Sequence, residues 1–162
     1  MKTLFLVRHA KSSWDDPSLV DEDRPLNARG ERDAPKMGKR LAKRDVQLDL
    51  ILSSPANRAI TTAQALADKL DYKLRNIVVD DRLYPGDMNV LLESVHNLGD
   101  KLNCVMFVGH DPALSKLAHR LSSDIMHMPT CAVAQFTFQA KSWRDVRGAT
   151  LVSVALDLPK KP

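Results

Sequence analysis

Four side chains capable of phosphate chemistry stand where strand-like runs end. Arg8 and His9 follow Leu4-Phe5-Leu6-Val7, Arg58 follows the run Leu48 to Leu52, and His110 follows Cys104 to Val108. Arginine is permanently charged and presents a planar fork of donors that matches a phosphate. A neutral imidazole is a nucleophile able to form a covalent intermediate. The Arg8-His9 pair therefore describes a group that can attack a bound phosphoryl group. Arg58 is expected in the first turn of a helix that Ser54 caps and Pro55 opens, where unpaired amides and the helix dipole favour an anion. If all four side chains reach one edge of a sheet, they should form a strongly electropositive pocket.

Rival chemistries lack their residues. The sequence holds no Gly-x-x-x-x-Gly-Lys, no Gly-x-Gly-x-x-Gly and no Gly-x-Ser-x-Gly. Its histidines and cysteines are not spaced as a zinc site, and neither a metal nor another cofactor is expected. His96, His119 and His127 have no comparable setting and are expected to be structural or exposed.

The elements that would position the four begin with short, mostly apolar strands at 4–7, 48–52, 77–79 and 104–108, those at 4–7 and 104–108 unbroken, a pattern suited to a buried parallel sheet. Helical spacing lies between them. Strands joined through helices by right-handed crossovers run parallel, so their carboxyl ends open on one edge, where α/β folds place ligands. The polar loop from Ser12 to Asp23 leaves the proposed site and is expected to wall it. Asn27 suits an N-cap for the helix that follows, and Pro35 should kink that helix or delay its start. Its polar face carries Lys36, Lys39, Arg40, Lys43 and Arg44, a solvated surface or, on a sharper reading, a dock for an acidic partner. Asp87 should cap a helix that Gly99 ends, and Asp111 should cap one that Pro112 opens. The tail has two strands without a helix between them, 132–138 and 150–158, expected as an antiparallel edge.

At 162 residues, with 44% hydrophobic and 27% charged side chains, the chain reads as one globular domain spanning 1–162. Aromatics at 5% are too sparse to stack on nucleic acid, and the net charge of +4 decides little. Two cysteines, Cys104 and Cys131, make no disulfide framework, so a reducing cytoplasm is expected. The first apolar run is too short for a signal peptide, and no stretch is long enough to span a membrane. A monomer is favoured.

Taken together, these motifs resemble the histidine phosphatase superfamily. The likeness runs through Leu6-Val7-Arg8-His9-Ala10, Arg24-Pro25-Leu26 with Gly30, Ser53-Ser54-Pro55 with Arg58 and Thr62, and Val108-Gly109-His110. The short length, Arg24-Pro25-Leu26 and Leu83-Tyr84-Pro85-Gly86-Asp87 are similar to the short bacterial phosphohistidine phosphatases. Ala10 stands where many members have glycine. The resemblance implies a phosphoglycerate mutase-like fold, a three-layer α/β/α sandwich with a mostly parallel central sheet and an antiparallel C-terminal edge. It also implies that His9 is the nucleophile, that Arg8, Arg58 and His110 bind the phosphoryl oxygens, and that no metal is needed.

One departure bears on substrate. Mutase and sugar-phosphatase relatives carry a proton-donating glutamate after the third strand, and here that loop has no glutamate, with Asp81 and Asp87 as the nearest replacements. An alkoxide leaves poorly, its conjugate acid resembling water with a pKa of about 15.7. Imidazole leaves readily, because its second nitrogen protonates near pH ~6.5. The expected activity is thus dephosphorylation of phosphohistidine on a protein, as in a phosphorelay. The alternatives are a small-ester phosphatase using Asp81 or Asp87 as acid, and a non-catalytic module that binds phosphorylated proteins.

Overall fold

Four consecutive apolar residues leave the first strand no polar face, so it needs cover on both sides. The computed structural model, which describes residues 1–160, gives it that cover. Among the described residues the strands are β1 (Lys2–Arg8), β2 (Leu50–Ser53), β3 (Val78–Val79), β4 (Cys104–Gly109), β5 (Val133–Phe138) and β6 (Leu151–Asp157). They form one sheet in the order β3-β2-β4-β1-β5-β6. The first four named in that order are parallel, and β5 runs antiparallel to both β1 and β6.

Helices α1 (Ala28–Lys43) and α2 (Asn57–Lys69) cover one face, and α3 (Met88–His96) and α4 (Ala113–Leu121) cover the other. Because strand side chains alternate, β1 feeds two cores. Phe5 and Val7 join Met37, Leu41 and Leu66, while Leu4 and Leu6 join Leu91, Leu117 and Phe136. This is the expected three-layer α/β fold with its antiparallel edge. Register then fixes the site: Arg8 lies opposite Gly109, so the exits of β1 and β4 are level.

Local expectations fare unevenly. Asn27 caps α1, its side-chain oxygen accepting from the Gly30 amide at 2.9 Å. The helix begins at Ala28 and runs through Pro35, so the late start does not occur. Proline there removes only one intrahelical donor, and the apolar stripe of Ala34, Met37 and Leu41 holds the helix down on either side. α2 starts two residues later than Pro55, with Ala56 at its N-cap, because Ser54 is engaged elsewhere. α3 ends at His96 with Asn97 as its C-cap, short of Gly99. Asp111 supports α4 by accepting from the Ser115 amide at 3.0 Å, with Pro112 lying between it and the first helical residue.

On the basic face of α1, Lys36, Lys39 and Lys43 are exposed. Arg40 instead turns to the end of β6, donating to Asp157 at 2.9 Å and to the Leu158 carbonyl at 2.5 Å. That arginine ties two elements of its own chain together. No described helix is long and apolar enough to cross a membrane.

Candidate active site

The exits of β1 and β4 and the start of α2 meet at a pocket of about 230 Å³. Arg8, His9, Arg58 and His110, the four side chains singled out in the sequence, all line it. The backbone holds them there: the His9 amide donates to the Gly109 carbonyl at 3.0 Å, and the two imidazole centroids stand 5.1 Å apart. Thr62 on α2 braces the strand exit. Its hydroxyl accepts from the Ala10 amide at 3.0 Å and donates to the Arg58 carbonyl at 2.7 Å.

His9 is buried, and its Nδ1 lies 2.7 Å from the Ala10 carbonyl oxygen. A carbonyl only accepts, so Nδ1 carries the hydrogen and Nε2 keeps its lone pair. Burial is the main force lowering the His9 pKa to about 4, with Arg58 and Arg8 adding to the fall and the Ala10 bond opposing it. His110 is lowered to about 3, again mainly by burial and then by His9 and Arg58. Its Nε2 lies 2.7 Å from Ser54 Oγ, which already accepts from the Ala56 amide at 3.1 Å. The arrangement that gives the Ser54 proton an acceptor has it donating to Nε2. Nδ1 of neutral His110 then carries the ring hydrogen and is the nitrogen left for a ligand. Ser54 was expected to cap α2; its hydroxyl orients a pocket histidine instead.

Arg8 donates from Nη1 to the Met128 carbonyl at 3.0 Å, while its Nε is buried with no protein partner. A buried donor left unpaired costs about 1–3 kcal/mol, which a ligand oxygen there would recover. Arg58 is the second residue of α2 and is also buried. Its Nη1 donates to the Asp21 carbonyl at 2.7 Å and its Nη2 to Asp21 Oδ2 at 2.9 Å.

Asp21 was not foreseen. It arrives on the Ser12–Asp23 loop, which does wall the pocket, along with Tyr84, Pro85 and Asp111. The Tyr84 hydroxyl donates to Asp21 Oδ2 at 2.6 Å, and Arg24 Nη1 to Oδ1 at 2.9 Å. These donors, the Tyr84 hydroxyl foremost, hold the Asp21 carboxyl far below the usual carboxylate range. Arg24 fixes the loop itself through the Ser13 carbonyl at 3.0 Å and Ser12 Oγ at 2.6 Å, with Trp14 stacked on its guanidinium. The sequence motif Arg24-Pro25-Leu26 thus serves to hang Asp21 over Arg58.

Two expectations change. Asp81 and Asp87 do not line the pocket: Asp81 opens an exposed 3-10 turn, and Asp87 caps α3 by accepting from Val90 at 2.9 Å. The pocket is also less positive than its arginines suggest. Both imidazoles are held neutral by burial, and Arg8 and Arg58 each face a carboxylate, Asp111 at 3.7 Å and Asp21 at 2.9 Å. Of the other histidines, His96 bonds the Val146 carbonyl, His119 the Ile125 carbonyl, and His127 is exposed near Asp111. Among the described residues no group of three or more histidine, cysteine or acidic side chains is placed to hold a metal.

The sequence profile of the histidine phosphatase superfamily (branch 1) matches residues 4–91, more than half of the chain. The chain belongs to the histidine phosphatase superfamily. The match takes in Arg8, His9, Asp21, Arg58 and Tyr84, while His110 lies beyond it and reaches the same pocket through the β1–β4 register. An uncharacterised chloroplastic protein of Arabidopsis thaliana is 32% identical over 152 residues, covering 89% of this chain and 70% of that one. A candidate phosphohistidine phosphatase SixA from Agrobacterium tumefaciens has a similar structure, with a TM-score of 0.78 and 29% identity over 85% of this chain and 92% of that one. The protein histidine phosphatase SixA bound to tungstate shares the fold at a TM-score of 0.76 and 22% identity, over 96% of this chain and 94% of that one. Family and neighbour together support phosphatase activity.

Proposed function

We propose that this histidine phosphatase removes the phosphoryl group from phosphohistidine on a protein, passing it through His9. The observation that carries the reading is the tie between His9 Nδ1 and the Ala10 carbonyl, which leaves Nε2 as a neutral nucleophile beside two arginines. Arg8, through its unpartnered Nε, and Arg58 bind the phosphoryl oxygens, and His110 donates from Nδ1. These groups supply the positive charge and positioning on which phosphoryl transfer depends, and no metal is required. Water then releases phosphate from His9.

The choice of a P–N substrate rests on the want of a proton donor. Asp21 is held ionised, and Asp111 accepts from the Ser115 amide and hydroxyl at 3.0 and 2.7 Å, so neither has a proton to give. A wider cleft of about 590 Å³ shares Arg8 and Asp111 with the pocket and continues past Lys116, Met126 and His127. It gives the bulk of a protein substrate somewhere to lie.

The test compares kcat/KM for a phosphohistidine-bearing protein, sugar phosphates and aryl phosphates of graded leaving-group pKa, with and without EDTA. The expected result is turnover of phosphohistidine, a steep fall as the ester leaving group becomes more basic, no effect of EDTA, and acid-labile phosphate on His9 after quenching. A flat dependence across the esters would transfer the reading to a small-ester phosphatase with a general acid.

A further inference from the structure

Each arginine of the pocket has a carboxylate beside it, and the two carboxylates differ. Asp111 is largely covered and commits both oxygens to Ser115. The Asp21 side chain is 49% exposed, stands in the pocket wall, and accepts from Arg58, Tyr84 and Arg24 at once. A phosphoryl group that binds the remaining donors of Arg58 therefore lies next to a fixed negative charge. For the dianion of a phosphate ester this is plain repulsion. Phosphohistidine is different: once its second ring nitrogen is protonated, that positive charge offsets one of the two on the phosphoryl group. A phosphoramidate with a protonated nitrogen shares the property.

We infer that Asp21 is a specificity-determining residue, favouring substrates that carry a positive charge on the group bonded to phosphorus, and that expel it neutral, over phosphate esters, an inference that rests on the function proposed above. In the transfer, a bond forms between His9 Nε2 and phosphorus as the substrate's P–N bond breaks. The electron pair of the broken bond returns to the substrate ring, which keeps the proton on its other nitrogen and leaves as neutral imidazole. No proton is delivered during the step. His9 then carries the phosphoryl group in the equivalent form, with its Nδ1 hydrogen on the Ala10 carbonyl. Attack by water forms the new P–O bond and breaks the P–N bond, releasing phosphate with both water protons and returning neutral His9. Asp21 stabilises the positive ring of the substrate as the Ala10 carbonyl does that of the enzyme.

Asp21→Asn keeps the shape of the side chain and removes its charge. Its kcat/KM is compared with wild type on a phosphohistidine-bearing protein, phosphoramidate and p-nitrophenyl phosphate. The ratio of P–N to ester efficiency should fall about tenfold, the scale of one unit charge at short range in a partly screened pocket. A residue that only steadied Arg58 would lower both efficiencies together, so a fall in the ratio of less than about threefold overturns the inference. Tyr84→Phe loosens the same network with the charge kept, and its efficiencies should drop in parallel. It also decides the matter if Asp21→Asn fails to fold, since a changed ratio in Tyr84→Phe would assign selectivity to geometry. The wild-type arm separates the two claims. Cleavage of phosphoramidate but not of the phosphohistidine protein overturns the proposed substrate and leaves the phosphoramidate ratio to judge Asp21. Cleavage of the ester alone overturns both.

Discussion

Gly30→Ala should damage the active site from behind. Gly30 lies in the first turn of α1, packed directly on the segment that leaves β1. A Cβ there would overlap the Lys11 carbonyl oxygen and lie 3.0 Å from its nitrogen and 3.1 Å from its carbonyl carbon. All three are backbone atoms, so no rotamer relieves the overlap. The same carbonyl also accepts from the Asn27 amide at 2.9 Å, which ties it to the helix cap. Restoring ordinary contact needs a shift of about 1 Å, and overpacking of this kind costs about 1–3 kcal/mol. Lys11 is two residues beyond His9, and a displacement of about 1 Å at a reacting group can cost about 10²-fold in rate. The variant should thus unfold at lower denaturant and lose about ten- to a hundredfold in kcat/KM on an activated aryl phosphate. Gly99→Ala meets nothing within 4 Å and should change neither property. Gly38→Ala meets the Lys69 side chain at 2.9 Å, away from the site, and should touch stability alone. Wild-type stability and efficiency in Gly30→Ala would refute the claim that α1 holds the His9 segment in place.

Two further outcomes can be checked on the same protein. Arg58→Ala should lose about 2–4 kcal/mol of transition-state stabilisation, seen as a drop in kcat/KM, with Arg58→Lys recovering only part because lysine has no fork; an unchanged alanine variant would place Arg58 outside the machinery. By NMR, His9 should titrate at about pH 4 and His110 at about pH 3, both well below the ordinary imidazole value of 6.5. The unfolded chain takes up these protons first, so stability should fall as pH drops from about 6.5, by up to about 1.4 kcal/mol per pH unit for each ring. A His9 midpoint near 6.5 would contradict its burial.

The sequence shows the site wherever chemistry coincides with a change of local pattern. Arg8 and His9 close an apolar run, Arg58 opens a helix, and His110 follows another apolar run, so residue type and position agree. Asp21 escapes because its meaning depends on Arg58, 37 residues later, and on the fold of a loop with no periodicity. Ser54 is misread for a different reason. A serine before a helix can satisfy an amide or an imidazole, and only the β2–β4 register decides that His110 is within reach. The same ambiguity made Asp81 and Asp87 look available as acids. The sequence also offers Asp87 as a helix cap, and that is the work it does. The two cores are legible from alternation in β1, whereas the pairing of Arg40 with the end of β6 leaves no trace in the spacing.

The place of β1 in the sheet has a consequence for how the molecule is made. Its neighbours are β4 and β5, and Phe138 at the end of β5 is translated 130 residues after Arg8. At about 5–20 residues per second, ~7–26 s separate the two on the ribosome. Until β4 is complete at Gly109 the Leu4-Phe5-Leu6-Val7 segment has neither ladder partner, although α1, α2 and β2 have already been made, and its second edge waits for β5. His9 thus emerges well before the strands that enclose it. Until β4 and β5 arrive, the nascent chain carries an apolar strand with both edges open, a template for pairing with other chains. The strand that brings Arg8 and His9 to the pocket depends on elements made long after it.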